Sequence, residues 1–220
     1  MLRFHVPAIL FLCLTAPSTP AYAQSGATAS ISIDRKTTTP LNPGFSGYNT
    51  ALLRDAVEYY DQNFQQFSGL MYAGWLRFPA GTASGAYNWQ NGLMILDWVN
   101  EFKQPWLNAL QPIVPLVAGK GGMQLSDFAN LASNLGGTKI VICVNAFTDT
   151  PESAGGLAAY VRDHNIPVAA WELANEAYFY TGFFQGGADY ADKMRPFRDA
   201  IKAVDPNAVV SLFFSDAGNP

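Results

Sequence analysis

Val168-Ala169-Ala170-Trp171-Glu172-Leu173-Ala174-Asn175-Glu176-Ala177-Tyr178 is the stretch whose reading decides the fold. It follows Pro167 and begins as a short apolar run, the pattern of a buried strand. It ends in an adjacent amide and carboxylate, with the aromatics Tyr178, Phe179 and Tyr180 next in line. Polar residues at the carboxyl end of a buried parallel strand are where α/β folds build their sites. Glu176 is therefore a candidate catalytic acid, with a solvated carboxylate at a strand end as the bland alternative. The small side chains of Ala174 and Ala177 leave room around it. Apolar surroundings favour the protonated form of a carboxyl, which a general acid needs at neutral pH.

Outward from this strand, helical and strand patterns alternate. Phe45–Asn49, Tyr72–Phe78, Lys139–Phe147 and Ala208–Phe214 read as further strands. Helical spacing appears in Leu52–Phe67 (Leu53, Val57, Tyr60, Phe64), at Ile95, Trp98, Val99 and Phe102, and from Leu125 to Leu135. A further helix starts at Thr150-Pro151, a hydroxyl cap followed by a proline suited to the first turn. The last spans Tyr190–Val204, where Pro196 predicts a kink or a second start. Between Gln104 and Gly122 three prolines and three glycines erase any period, which predicts a long loop. Five strand–helix alternations imply parallel strands with helical crossovers, either an open doubly wound sheet or part of a (β/α)₈ barrel. No Gly-x-Gly-x-x-Gly turn supports the dinucleotide-binding version of the open sheet.

The 220 residues are 49% apolar and 14% charged, enough for a sizeable core. A net charge of −4 without a basic run argues against nucleic acid as a partner. Residues 1–23 read as a secretory signal peptide: Arg3, the apolar run Val6–Leu14, and Ala21-Tyr22-Ala23 before the cut. That apolar run is too short to span a bilayer, so no membrane association is expected after cleavage. Cleavage takes away Arg3 and no acid, so −4 becomes −5, and it leaves Cys143 as the single cysteine. Residues 24–44 read as a leader with a possible edge strand at Ile31–Asp34, and residues 45–220 as the folded domain. With one cysteine and only His164 left among the histidines, no metal or other cofactor is expected, and a serine–histidine triad has no support.

Glycoside hydrolysis needs a second carboxylate, about 5–5.5 Å from the first for retention or 6.5–9.5 Å for inversion. Glu172 lies on the same strand, four residues back, ~13 Å away at strand rise. It is too far to be that partner. Asp149 and Asp216 also fall at predicted strand ends, although Asp149 reads equally as part of a helix start and Asp216 as part of a turn. Strict alternation sends Asn175 and Glu176 to opposite faces, so one site can use both only if the strand twists or bulges at its end. Arg77, inside Trp75-Leu76-Arg77-Phe78, requires an anionic partner. It would either hold a catalytic carboxylate ionised or close a structural ion pair.

Trp171-Glu172-Leu173-Ala174-Asn175-Glu176, taken with Leu76-Arg77-Phe78-Pro79-Ala80-Gly81-Thr82, resembles the clan A glycoside hydrolases. It looks most like family 79, the heparanase and β-glucuronidase group, with the family 51 arabinofuranosidases and family 39 β-xylosidases close behind. The resemblance covers roughly Phe45–Phe214 and implies an α/β fold, a partial (β/α)₈ TIM barrel of about the first five β/α units. It implies a secreted, retaining glycosidase with a carbohydrate substrate and no cofactor. In it Glu176 is the acid/base and Asn175 the donor to the sugar 2-hydroxyl. Arg77 supports the nucleophile, and Tyr178 and Asn49 line the sugar site. Ala174 and Ala177 stand where these families usually have glycine and proline. The nucleophile belongs at the end of a seventh strand, whereas the pattern here reaches a fifth, so this chain by itself is expected to be an inactive amino-terminal part. The competing expectation is a sugar-binding module without catalysis, or an inactive truncated product. The sequence leaves the sugar, the linkage and the oligomeric state open.

Overall fold

The computed structural model describes residues 30–34, 36, 38–40, 42, 44–50, 57–79, 81–101, 114–119 and 122–212. The expected signal peptide and Asp216 lie outside them. The chain divides into a unit ending at Pro40 and a second beginning at Leu41, a few residues before the expected boundary. The described residues of the first unit form no helix or strand, so Ile31–Asp34 is not an edge strand. Four alternating residues without a partner strand have nothing to satisfy their backbone groups. The Asp34 carboxylate instead accepts the Lys36 N–H at 2.8 Å.

The second unit is built on five parallel strands: β1 (Gly47–Asn49), β2 (Trp75–Phe78), β5 (Lys139–Val144), β6 (Val168–Leu173) and β7 (Val210–Leu212). They lie in chain order, β1-β2-β5-β6-β7, each parallel to its neighbour. Among the described strands the order never reverses, and no topological switch point of the doubly wound kind is seen. A two-stranded antiparallel hairpin, β3 (Tyr87–Asn88) and β4 (Leu93–Met94), is inserted after β2 and a short 3₁₀ turn, Thr82–Ala86. Such two-residue strands are too short to leave an alternation in sequence.

The helices are α1 (Val57–Tyr60), α2 (Gln62–Leu70), α3 (Leu96–Glu101), α4 (Val114–Gly119), α5 (Leu125–Asn134), α6 (Pro151–Asp163) and α7 (Gly187–Val204). The single helix expected over Leu52–Phe67 is broken at Asp61, whose side chain accepts the Phe64 N–H at 2.8 Å and starts α2 afresh. The break also rotates the expected face, burying Tyr59 and exposing Tyr60. Val114–Gly119 is helical where a loop was expected. Pro196 sits inside α7 without ending it. The cap at Thr150 forms as read, its hydroxyl accepting the Ser153 N–H at 3.2 Å. Gly136 and Gly137, at φ of 88° and 82°, close α5 in a conformation that costs glycine nothing.

Burial separates the two faces of the sheet. Leu76, Phe78, Ile140, Ile142, Val144, Trp171 and Leu173 are buried, in one core with Phe128 and Leu131 of α5, Leu157 and Val161 of α6, and Met194 and Ile201 of α7. Each such side chain contributes roughly 1.5–3 kcal/mol by leaving water. Alternation turns Asn49, Arg77, Val141, Cys143 and Glu172 to the other face. Apart from buried Cys143, these residues are exposed or half-buried. A register shift between Ile140 and Val141 keeps the two sets in phase between β5 and β6.

Candidate functional site

Strand β6 ends at Leu173, and two of the next three residues leave extended geometry. Ala174 has φ 65° and Glu176 has φ 46°, both in the left-handed region. An L-residue there costs about 1–2 kcal/mol, and only surrounding contacts keep it in place. At Ala174 one such contact is its N–H donating to Val144 O at 3.2 Å. This double turn breaks strict alternation. Asn175 and Glu176 now point to the same place, and Asn175 Nδ2 donates to Glu176 Oε2 at 3.1 Å. Glu176 then precedes a single 3₁₀ turn, Ala177–Phe179, its carbonyl accepting the Phe179 N–H at 2.9 Å.

Around this pair the other candidates collect. Tyr178 OH donates to Glu176 Oε1 at 3.2 Å, so both carboxylate oxygens are engaged. Tyr178 and Phe179 form an exposed ring pair, centroids 4.5 Å apart. Arg77 on β2 reaches Asn175 Oδ1 through Nη2 at 2.8 Å. Asn49 is the β1 partner of Arg77 in register. Gly81 completes the wall: a Cβ there would meet Asn175 Oδ1 at 3.4 Å, Arg77 Nη1 at 3.5 Å and Asn49 Nδ2 at 3.5 Å. Asn49, Arg77, Asn175, Glu176 and Tyr178 thus share one surface at the carboxyl ends of β1, β2 and β6.

The anionic partner of Arg77 is Glu172. Nε donates to Glu172 Oε2 at 2.6 Å and Nη2 to Oε1 at 2.9 Å, a bidentate pair reaching across β5. Burial pulls the guanidinium down, and the Glu172 hydrogen bonds with the nearby negative groups more than restore it, leaving it above its ordinary range. The Cys143 thiol lies beneath, 3.5 Å from Nη2 and 3.1 Å from Ser84 Oγ. Burial pushes it up to about 12, so it is a neutral thiol rather than a nucleophile. Tyr180, buried under the turn, is likewise pushed up to about 12, by burial against a lowering hydrogen bond with Thr82, with the Glu176 charge adding to the rise.

Asp149 belongs to a different structure. Its carboxylate accepts Thr150 N–H and Ser153 Oγ–H, both at 2.8 Å, and Ser153 Oγ in turn accepts Trp89 Nε1–H at 3.0 Å. Burial raises its pKa against those hydrogen bonds. It borders a cavity of about 20 Å³ between β5 and α6, room for a single water. His164 stacks on Tyr160 at the end of α6, centroids 3.9 Å apart. Among the described residues no three histidine, cysteine or carboxylate side chains gather at one point.

The roles of three participants escaped the sequence reading. Thr82 Oγ1 accepts Asn175 Nδ2–H at 3.1 Å, Tyr180 lies under the turn, and Glu172 is the partner of Arg77. Each stands in a stretch the sequence singled out, Thr82 as a hydroxyl just after the carboxyl end of a strand, Glu172 as an acid inside an apolar one and Tyr180 among the aromatics that follow. No protein-family model matches the chain, and a comparison with the curated proteins found no significant match either.

Proposed function

We propose that the protein is a secreted retaining glycoside hydrolase in which Glu176 is the general acid/base. The observation that carries this reading is the convergence of Glu176, Asn175, Tyr178, Arg77 and Asn49 on one half-open face, at the carboxyl ends of three strands of one parallel sheet. A carboxyl held by an amide and a phenol can protonate a departing glycosidic oxygen and then activate water. The finer architecture we infer is the first five units of a (β/α)₈ barrel. Strands in unbroken chain order, with α5, α6 and α7 sharing one core with one face of the sheet, support it. In that architecture the face bearing Arg77 and Glu172 is the barrel interior. The carboxylate nucleophile would come from a later strand, beyond Leu212. Export rests on residues 1–23, and amino-terminal sequencing of the mature protein should begin at Gln24.

The test is hydrolysis of p-nitrophenyl and methyl β-glucuronides, α-arabinofuranosides and β-xylosides by the product of the full reading frame. Glu176→Gln should lower kcat/KM about 10²–10⁴-fold on methyl glycosides, whose leaving group needs a proton. On p-nitrophenyl glycosides, whose leaving group departs readily, the loss should be far smaller. Equal losses on both substrates, or none, would remove Glu176 from the acid/base role. Saturable binding without turnover would favour the sugar-binding module.

A further inference from the structure

Asn175 is 3% exposed and its amide has two chemically different ends. Arg77 Nη2 can only donate, so the end it meets must be the carbonyl oxygen; a flipped amide would set donor against donor. That leaves Nδ2 directed at Thr82 Oγ1 and Glu176 Oε2. The orientation of the amide beside the candidate acid is therefore set by where the guanidinium is held. The guanidinium is held by Glu172, through two hydrogen bonds that fix its plane as one could not.

Glu172 has a second consequence. Among the described residues, the ionisable groups around Glu176 are Arg77 from β2, Glu172 from its own strand, Cys143 from β5, and Tyr178 and Tyr180 from the turn that follows. Cys143 and Tyr180 are neutral across the physiological range. Arg77 is the one cation in this set, and the Glu176 charge is among those that raise its pKa. Freed from Glu172, the nearest carboxylate left to it in this group is Glu176. A guanidinium paired to Glu176 would hold it ionised and disable it as an acid.

We propose that Glu172 is a positioning residue: its bidentate grip makes Arg77 orient the Asn175 amide and keeps the guanidinium off the Glu176 carboxylate. This assigns Arg77 to the acid side of the site, whereas the family resemblance had it supporting the nucleophile. The inference rests on Glu176 being the acid/base.

The experiment compares kcat/KM against pH for the unmodified protein, Glu172→Gln, Arg77→Lys and Glu172→Gln/Arg77→Met, on paired methyl and p-nitrophenyl glycosides. Glu172→Gln should lose about tenfold or more on the methyl glycoside and far less on the aryl one. Its alkaline limb should move to lower pH. Arg77→Lys keeps the charge without the fork and should show the same substrate-dependent loss. Adding Arg77→Met to Glu172→Gln removes the intruding cation and should move the alkaline limb back. Equal loss on both substrates with an unmoved limb, in either single variant that folds, would make Glu172 merely structural and overturn the proposal. A Glu176→Gln variant that is indifferent to the leaving group would fail the underlying reading instead, so the two failures are told apart.

Discussion

Asn175 Nδ2 donates to Glu176 Oε2 at 3.1 Å, although the two residues are consecutive and leave a strand whose side chains alternate. Left-handed backbone at Ala174 and Glu176 makes this possible. The site therefore depends on two strained residues, neither of them glycine.

Ala174→Gly should stabilise the protein by about 1 kcal/mol, because relief at φ 65° outweighs the extra freedom glycine gives the unfolded chain. Ala174→Val should cost about 2 kcal/mol or more, since β-branched residues are genuine outliers there. Urea denaturation midpoints measure both. A glycine variant less stable than its parent would contradict the strain argument.

The Arg77–Glu172 pair is largely buried, with 22% and 14% of the two side chains exposed. Arg77→Met should therefore cost about 2–4 kcal/mol, somewhat below the range for a fully buried pair, by leaving Glu172 without its cation. Arg77→Met/Glu172→Leu should cost less than Arg77→Met alone, because no orphan charge remains. Additive losses in the denaturation cycle would show that the two side chains are not coupled.

Cys143 should resist Ellman's reagent at pH 8 in the folded protein and react at the rate of unfolding. Its thiol is buried and pushed up to about 12 from an ordinary 9.0. Between those values the unfolded chain loses a proton that the folded chain keeps, so stability falls as pH rises through that window. Cys143→Ala should flatten that alkaline slope. Rapid labelling under native conditions would show the thiol to be accessible.

Thr150→Ala should destabilise the protein by about 1 kcal/mol, by removing the acceptor for the Ser153 N–H at the start of α6. Thr150→Ser keeps that acceptor and should cost much less. Thermal melts that fail to separate the two substitutions would mean the cap is energetically idle.

What the sequence by itself determined is local. A hydroxyl before Pro151 specifies a helix start, paired glycines specify the end of α5, and apolar runs mark the strands that the helices bury. It also marks the carboxyl end of β6 as the place for chemistry, because an amide and a carboxylate follow a buried run there. The tertiary structure decided what those side chains do. Which acid neutralises Arg77 depends on a contact across an intervening strand, between residues 95 positions apart, and no period in the chain encodes such a pairing. The same holds for the turn of Asn175 and Glu176 to one side. Alternation is a property of extended backbone, and the left-handed angles that cancel it persist only because packing around the strand end, with Ala174 tied to β5, holds them.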